Sequence, residues 1–391
     1  MREQIFVQKP KKSCFHGGEH GIRGVLTLTE GRGRGLMGHS SSKKKHATLV
    51  DIAASAGVTP MTVSRVVNQN GYVSAETREK VMRAISALNY RRNGLARGLK
   101  RQRTDTIGLV LGDIANPFAA ELARSVREVM SARGYNLFIC VSEHSAKEDI
   151  AAFDALADHR VDGIIVATRA NKPGNDKLSE MIERGLPVVL IGRDFRHQSA
   201  DLVAADNLKG GYDATEHLIA LGHKNIGFIG ITLTSGLALR RFQGYLDAMR
   251  AAGLRVNDRL IVGRTEDGEQ WPGYSTEEVG YEGMKRLLAL RKRPTAVFAR
   301  NDFTAIGAIS AIKEAGLSIP HDIAIVGYDD VPLAAHMSPP LTTVRQPTRE
   351  QGQAAAEFLL RRMDATGPIP REEKIMECAL IVRESTGVAE A

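Results

Sequence analysis

Short apolar segments alternate with amphipathic segments from Thr106 to about residue 330, and this alternation is the strongest constraint on the fold. The apolar segments are rich in Val and Ile, as is typical of strands buried on both faces, and the segments between them have helical spacing. The pattern predicts parallel β-sheets covered on both faces by helices. The predicted strands lie at 107–111, 135–141, 161–168, 187–192, 226–230, 296–299 and 323–327.

Residues 105–391 exceed the length of one doubly wound domain, so we predict two lobes with a ligand cleft between them. Residues 47–92 have a different, all-helical pattern. Thr59 is followed by Pro60, a favoured N-cap and first helical residue, and Ser74 caps a third helix. The predicted apolar positions of this helical head are Leu49, Ile52, Ala53, Ala56, Val81, Ile85 and Leu88.

The formal charge of +8 is unevenly distributed. Residues 1–46 and residues 47–104 each contain ten Lys or Arg and three acids, which is +7 for each segment and leaves −6 for the remainder. A basic front end on an acidic body is typical of a nucleic-acid-binding protein with a second function attached. For residues 1–46 alone, a solvated basic tail is the simpler interpretation.

Residues 1–46 are rich in Gly, Ser, Lys and Arg and are predicted to be disordered. The segment 33–38 matches a dinucleotide-binding fingerprint, but serines and lysines follow where a helix should begin, so we discount it. Met37 is an alternative start of the protein.

Other classes of protein are poorly supported by the sequence. No apolar segment approaches the roughly 20 residues of a membrane helix, and Cys14, Cys140 and Cys378 are scattered, which fits a reducing cytoplasm better than a disulfide framework. We find no nucleophile elbow, phosphate loop or metal-ligand cluster, and so expect neither an enzyme nor a cofactor.

Two short helices joined by a tight glycine turn predict a helix-turn-helix, whose second helix enters the DNA major groove. Arg65 can donate two hydrogen bonds to guanine, and Asn68 suits adenine or a phosphate. The alternative is an ordinary helical hairpin with Arg65 in solvent. The residues predicted to face DNA are Thr59, Pro60, Met61, Thr62, Ser64, Arg65 and Asn68.

Residues 48–68, 73–81 and 88–99 closely resemble the head and hinge of the lactose-repressor (LacI/GalR) family. The resemblance continues through the body in short motifs and covers about residues 47–390. These motifs are Asn116-Pro117-Phe118, Asp206-Asn207, Leu221-Gly222-His223, Arg241-Phe242-Gln243-Gly244, Asn301-Asp302, residues 326–330 and residues 340–344.

The resemblance implies a cytoplasmic, nucleoid-associated homodimer that represses transcription from a near-palindromic operator. Residues 93–104 would be a hinge that folds on DNA, with Leu99 wedged into the minor groove and Arg97, Lys100, Arg101 and Arg103 on phosphates. The chain departs from the family at Arg92, where proline is usual, and at Gly98, which costs roughly 1 kcal/mol of helix stability relative to alanine. The remaining DNA contacts implied by the family are Thr48, Leu49, Ser74, Thr77 and Asn93.

The family also implies a two-lobed body like that of periplasmic binding proteins, with a small-molecule effector between the lobes. The first lobe would comprise residues 105–204 and 345–370, and the second residues 205–344 and 371–391. Asp and Asn suit hydroxyl groups and Arg suits a carboxylate, which favours a sugar or sugar acid over a purine. The effector contacts implied are Phe118, Arg241, Asn301, Asp302 and Asp329. Arg169 and Arg193 are weaker candidates because they lie near the ends of predicted strands.

Several alternatives remain open at this stage. Asp329 could be a turn residue after a strand, and Asn301-Asp302 could cap the following helix. A periplasmic solute receptor shares the two-lobed body, but it should have a signal peptide and no helix-turn-helix. The final residues, 382–391, lack the leucine heptads of a coiled-coil tetramerisation tail, which favours a dimer.

Overall fold

The computed structural model describes residues 47–68, 70–90, 103–143, 145–230, 236–263 and 276–387. The chain divides into two compact units, residues 1–92 and residues 93–391. The predicted disordered tail (1–46), and Asn93, Arg97, Leu99, Lys100 and Arg101 of the predicted hinge, lie outside the described residues.

The first unit contains three helices: α1 (Leu49–Ala56), α2 (Pro60–Asn68) and α3 (Ala75–Ala87). Helix α1 ends at Gly57, whose φ of 64° favours glycine at the turn. Leu88 is 38% exposed, so its predicted place in the buried face was wrong. The buried core of this unit consists of Ile52, Ala53, Val63, Val66, Val81 and Ala84.

The second unit contains two six-stranded sheets, each at the centre of one lobe. The first sheet is parallel and has the order β11-β5-β4-β3-β1-β2. Its strands are β1 (Thr106–Leu111), β2 (Asn136–Val141), β3 (Ile164–Ala167), β4 (Val188–Ile191), β5 (Ala200–Ala205) and β11 (Glu373–Met376). The helices of this lobe are α4 (Pro117–Ala132), α5 (Ala146–Asp158), α6 (Lys172–Glu183) and α11 (Thr348–Asp364).

The second sheet has the order β12-β10-β9-β8-β6-β7 and is parallel except for β12, which pairs antiparallel with β10. Its strands are β6 (Ile226–Ile229), β7 (Ile261–Val262), β8 (Ala296–Ala299), β9 (Ala324–Asp329), β10 (Thr342–Arg345) and β12 (Ala379–Ile381). The helices of this lobe are α7 (Asn207–Ala220), α8 (Gly236–Ala251), α9 (Thr276–Leu288) and α10 (Asp302–Glu314). Short 3₁₀ helices lie at Asp258–Leu260, Pro332–His336 and Glu384–Thr386.

The chain passes between the lobes three times: after β5, after β10 and after β11. The predicted boundary at 370/371 was wrong, because β11 pairs with β5 in the first sheet and the chain returns to the second lobe only after Met376. Strands β5, β7, β10, β11 and β12 were not predicted. No helix in the described part of the chain is both long and apolar enough to cross a bilayer.

Candidate functional site

A cavity of about 200 Å³ lies between the two lobes of the second unit. It is formed where strands of both sheets end, the usual place for a ligand in parallel α/β folds. The first lobe contributes the ends of β1 and β3 and the start of α4, and the second lobe contributes the ends of β6 and β8 and part of α8. The apolar walls are made by Leu111, Phe118, Ala119, Leu122, Ala167, Phe228 and Phe242.

Two asparagines cap helices at the cavity wall, one in each lobe. Asn116 Oδ1 accepts a hydrogen bond of 3.0 Å from Phe118 N and begins α4. Asn301 Oδ1 accepts from Thr304 N at 2.9 Å and from Thr304 Oγ1 at 2.7 Å and begins α10. Because both amide oxygens are used by capping, the amide N–H groups are the donors left for a ligand.

Arg241, from α8, lines the cavity and is tied firmly to the protein. Its Nε donates to Asn207 Oδ1 and its Nη1 to the Arg300 carbonyl, each at 2.7 Å. Its Nη2 lies 3.4 Å from Asp329 Oδ1, and its Cζ lies 3.7 Å from the centre of the Tyr328 ring. Arg241 therefore braces the wall and has only part of its donor capacity left for a ligand.

Two further arginines, Arg169 and Arg300, line the cavity from opposite lobes. Burial lowers the pKa of both guanidinium groups, and the neighbouring charges of Arg169 and Arg241 help to lower that of Arg300 to about 9. The Arg300 stem packs over Gly230, where an added Cβ would lie 2.6 Å from Arg300 Cδ. Gly230 also has a φ of 96°, so glycine is needed there on both counts.

Asp302 and Asp329 are not among the residues that line the cavity. Asp302 is fully buried and accepts hydrogen bonds from Val331 N (2.8 Å) and Thr343 Oγ1 (2.5 Å), which join α10 to the sheet. Burial is the main cause that raises the pKa of Asp302 to about 8, with the Asp329 carboxylate next. Both aspartates are engaged with neighbouring protein groups, and direct contact of either one with the effector stays a prediction.

Of the two weaker candidates, Arg169 reaches the cavity and Arg193 does not. Arg193 is fully buried in the first lobe, where its Nη1 contacts Asp149 Oδ2 at 3.2 Å and donates to Thr168 Oγ1 at 2.5 Å. It also donates at 2.7 Å to the Arg169 carbonyl, so it fixes the backbone that carries Arg169. Arg300 was not predicted to line the cavity, although its position directly after β8 was a usable signal.

The first unit presents a shallow surface groove at the beginning of α2 and α3. Thr59 Oγ1 caps α2 by accepting from Thr62 N at 3.2 Å, and Ser74 Oγ caps α3 by accepting from Thr77 N at 3.3 Å. Two helix N-termini at one surface favour phosphate groups, because their partial positive charge and free N–H groups face outward. The groove is lined by Val58, Thr59, Thr62, Arg65, Tyr72, Val73, Ser74 and Thr77.

The other predicted contacts of α2 lie along its surface. Pro60, Met61 and Asn68 are exposed, and Met61, at 65% exposure, leaves a large apolar side chain in solvent. Ser64 is half-buried and accepts a hydrogen bond of 3.1 Å from Asn68 Nδ2. Tyr72 is 92% exposed beside the groove and was missed, although a tyrosine in the turn after α2 could have been noted.

Three predicted DNA contacts have structural roles. Leu49 packs against the core of the first unit. Thr48 forms a capping box with Asp51, since its Oγ1 accepts from Asp51 N while Thr48 N donates to Asp51 Oδ2. Arg103 Nη2 donates a hydrogen bond of 2.6 Å to the Met363 carbonyl. Part of the guanidinium that was predicted to contact a phosphate is therefore used within the protein. Asn93 and Leu99 lie outside the described residues.

Comparison with known sequences identifies both parts of the chain. The family described as "Bacterial regulatory proteins, lacI family" matches residues 48–93, and the "Periplasmic binding protein-like domain" matches residues 215–386. The HTH-type transcriptional repressor PurR of Histophilus somni is 37% identical over 341 residues, which cover 87% of this chain and 98% of that protein. This chain belongs to the lacI family.

Other lacI-family proteins cover the same extent. The ribose operon repressor of Haemophilus influenzae is 38% identical over 341 residues, 87% of this chain and 98% of its own length. A complex of the regulator CelR with cellobiose has a TM-score of 0.64 at 33% identity and covers 87% of this chain and 100% of its own. A lac repressor dimer bound to operator and the anti-inducer ONPF has a TM-score of 0.75 at 28% identity, with coverage of 88% and 100%.

The predicted family and fold class, a helix-turn-helix head with two parallel-sheet lobes, are thus confirmed. As a lacI-family member the protein is a DNA-binding transcriptional repressor regulated by an effector, and not an enzyme.

Proposed function

We propose that this lacI-family repressor acts in the cytoplasm as a homodimer on a near-palindromic operator, and that a sugar or sugar acid bound between the lobes controls its affinity for DNA. The observation that carries the proposal is the groove of the first unit, which brings Arg65 together with the capped starts of α2 and α3. An arginine that can read guanine lies there beside two surfaces suited to phosphates.

The dimer is supported by the lac repressor, which is a dimer on its operator in the similar structure. Two identical heads on one duplex require a two-fold related pair of half-sites, so the operator should be near-palindromic. A particle of twice the chain mass in light scattering would agree with this proposal, and a stable tetramer would contradict it.

The nature of the effector is supported by the chemistry of the cavity. Amide N–H groups of Asn116 and Asn301 and the three arginines offer donors to hydroxyl or carboxylate oxygens, while phenylalanines cover an apolar ring face. The similar CelR structure contains cellobiose, which is a sugar. A purine base is the alternative effector.

Control of DNA binding follows if the lobes adopt two arrangements to which effector and operator bind with different affinity. Such coupling is reciprocal. If the effector changes the protein's affinity for the operator by some factor, the operator must change the protein's affinity for the effector by the same factor. Equal effector affinity with and without operator would contradict the mechanism.

The decisive experiment is fluorescence anisotropy of the full chain on labelled DNA from upstream of its own gene, in a salt series and with an unrelated competitor duplex. We expect saturable binding to one near-palindrome that weakens steeply with salt. Additions of sugars, sugar acids and hypoxanthine then identify the class of effector that shifts the curve. Weak, sequence-independent binding that no additive changes would contradict the proposed function.

A further inference from the structure

The cavity between the lobes carries an excess of positive charge. Among the described residues that line it, three are arginines and one, Asp113, is acidic. Asp113 Oδ1 already accepts a hydrogen bond of 2.8 Å from Ala115 N. Asp329, which is not among the lining residues, lies 3.4 Å from Arg241 Nη2 and accepts a hydrogen bond of 2.7 Å from Gln346. The wall therefore offers a ligand more cation and N–H donor than carboxylate.

Arg300 is the cation best placed for a ligand. Its carbonyl is held by Arg241 and its stem by Gly230, so the side chain is positioned by the protein. Within the described part of the chain no group accepts a hydrogen bond from its guanidinium. Arg300 is half-buried and lines the cavity, so a ligand there can accept hydrogen bonds from its guanidinium.

Two helices direct their N-termini at the same cavity. Helix α4 begins after Asn116 in the first lobe and α10 begins after Asn301 in the second, and both asparagines line the cavity. The positive ends of two helix dipoles add to the field of Arg169 and Arg300. Both lobes therefore contribute positive potential to one cavity, an arrangement that favours an anion over a neutral molecule.

We infer that the effector is anionic, namely a small polyhydroxy acid whose carboxylate is bound by Arg300. The asparagine amides bind its hydroxyl groups, and Phe118, Phe228 and Phe242 cover its carbon skeleton. This inference rests on the proposed function and specifies its effector. Guanidinium groups bind carboxylates through paired hydrogen bonds, and such bonds are strong where water is excluded. Burial, followed by the neighbouring charges of Arg169 and Arg241, lowers the pKa of Arg300, and a bound anion would oppose both effects.

The test is calorimetric titration of the full chain with matched pairs of ligands: D-gluconate against D-glucose, D-galactonate against D-galactose, and D-glucuronate against D-glucose. Glucose 6-phosphate and hypoxanthine are the further arms, and sodium chloride and inorganic phosphate are the ion controls. We expect at least one acid to bind about tenfold or more tightly than its neutral partner. Tight binding of glucose 6-phosphate alone would overturn the assignment to a carboxylate, because the anion bound would then be a phosphate group.

The test variant is Arg300→Gln, with Arg291→Gln as the matched control, since Arg291 is an exposed arginine before β8. Arg300→Gln should weaken binding of the acid about tenfold to a hundredfold and leave the neutral partner unchanged, while the control should change neither. The proposal is overturned if no acid binds more tightly than its neutral partner, or if Arg300→Gln weakens both ligands equally. Operator affinity without ligand, measured in parallel, keeps this result separate from a failure of the proposed function.

Discussion

Gln346 donates a hydrogen bond of 2.7 Å to the carboxylate of Asp329, and this bond connects the cavity wall to a segment that passes between the lobes. Asp329 also lies 3.4 Å from Arg241, which lines the cavity. Gln346 follows β10 directly and precedes α11 of the first lobe. A second connection runs from Arg241 through the Tyr328 ring to Cys378, whose thiol lies 3.3 Å from the Tyr328 hydroxyl after β11.

The first prediction concerns this connection. Gln346→Met removes the hydrogen bond without removing any group from the cavity wall, so operator binding without effector should remain near that of the wild type. The effector-induced change in operator affinity should fall several-fold, because couplings of this kind amount to about 1–3 kcal/mol and depend on such contacts. Anisotropy titrations with and without effector measure both quantities.

The matched control is Gln243→Met, which removes an amide–carboxylate bond of 2.8 Å to Asp247 on the exposed surface of α8. Thermal unfolding of both variants would separate a loss of coupling from a loss of stability. An unchanged effector response in Gln346→Met would show that Gln346 takes no part in communication between the lobes.

The second prediction concerns Arg65. Arg65→Gln should weaken binding to the operator by about 1–3 kcal/mol and reduce discrimination at one base pair, if the guanidinium reads a guanine. Arg83→Gln is the control, because Arg83 is exposed on α3 and paired with Glu79 outside the groove. Equal losses on operator and unrelated DNA would instead assign Arg65 to a phosphate, and no loss would favour a plain helical hairpin.

The third prediction separates two roles of Thr48. The capping box makes Thr48→Ala destabilising to the helical head by about 1 kcal/mol, whereas Thr48→Ser should retain the cap. Urea unfolding of the full chain, followed by circular dichroism, measures the stability of each variant. If both variants lose much of their operator affinity while their stability is unchanged, Thr48 contacts DNA directly.

Most of the architecture was predictable because its strands are apolar on both faces and separated by amphipathic helices. Strand β5 was not predicted, because it is a short, alanine-rich segment that contains an acid, Asp201. Asp201 is fully buried and is paired with Arg361 at 3.1 Å and with Arg362, both from α11. Those partners lie about 160 residues away in the chain, and sequence periodicity does not detect such pairing.

The same limitation affected the cavity. Arg241 and Asn301 were predicted to line it and do so, but an arginine after a strand, such as Arg300, has the appearance of an ordinary surface residue in the sequence. Only the close approach of Gly230 and Arg241 shows that Arg300 is positioned by the protein. Conversely, Asp302 and Asp329 had suitable chemistry for hydroxyl groups, yet their oxygens accept hydrogen bonds from other protein groups.

The last prediction concerns the pH dependence of stability that Asp302 should produce. Its pKa in the folded protein is raised to about 8, against about 3.9 in an unfolded chain. The folded state therefore holds a proton that the unfolded state releases between these two values, so the contribution of Asp302 to stability is present at low pH and is lost as the pH rises towards 8. The slope is at most about 1.4 kcal/mol per pH unit.

Asp302→Asn tests this sign, since asparagine resembles the protonated acid and does not titrate. Relative to the wild type, the variant should become progressively more stable as the pH is raised from 5 to 8, as measured by urea unfolding at each pH. Asp322→Asn is the control: the pKa of this exposed acid is lowered by its bonds with Ser318, so it is ionised in both states over the same range and should add no slope. Parallel pH profiles for wild type and Asp302→Asn would mean that Asp302 is ionised in the folded protein, with Val331 N and Thr343 Oγ1 stabilising its charge.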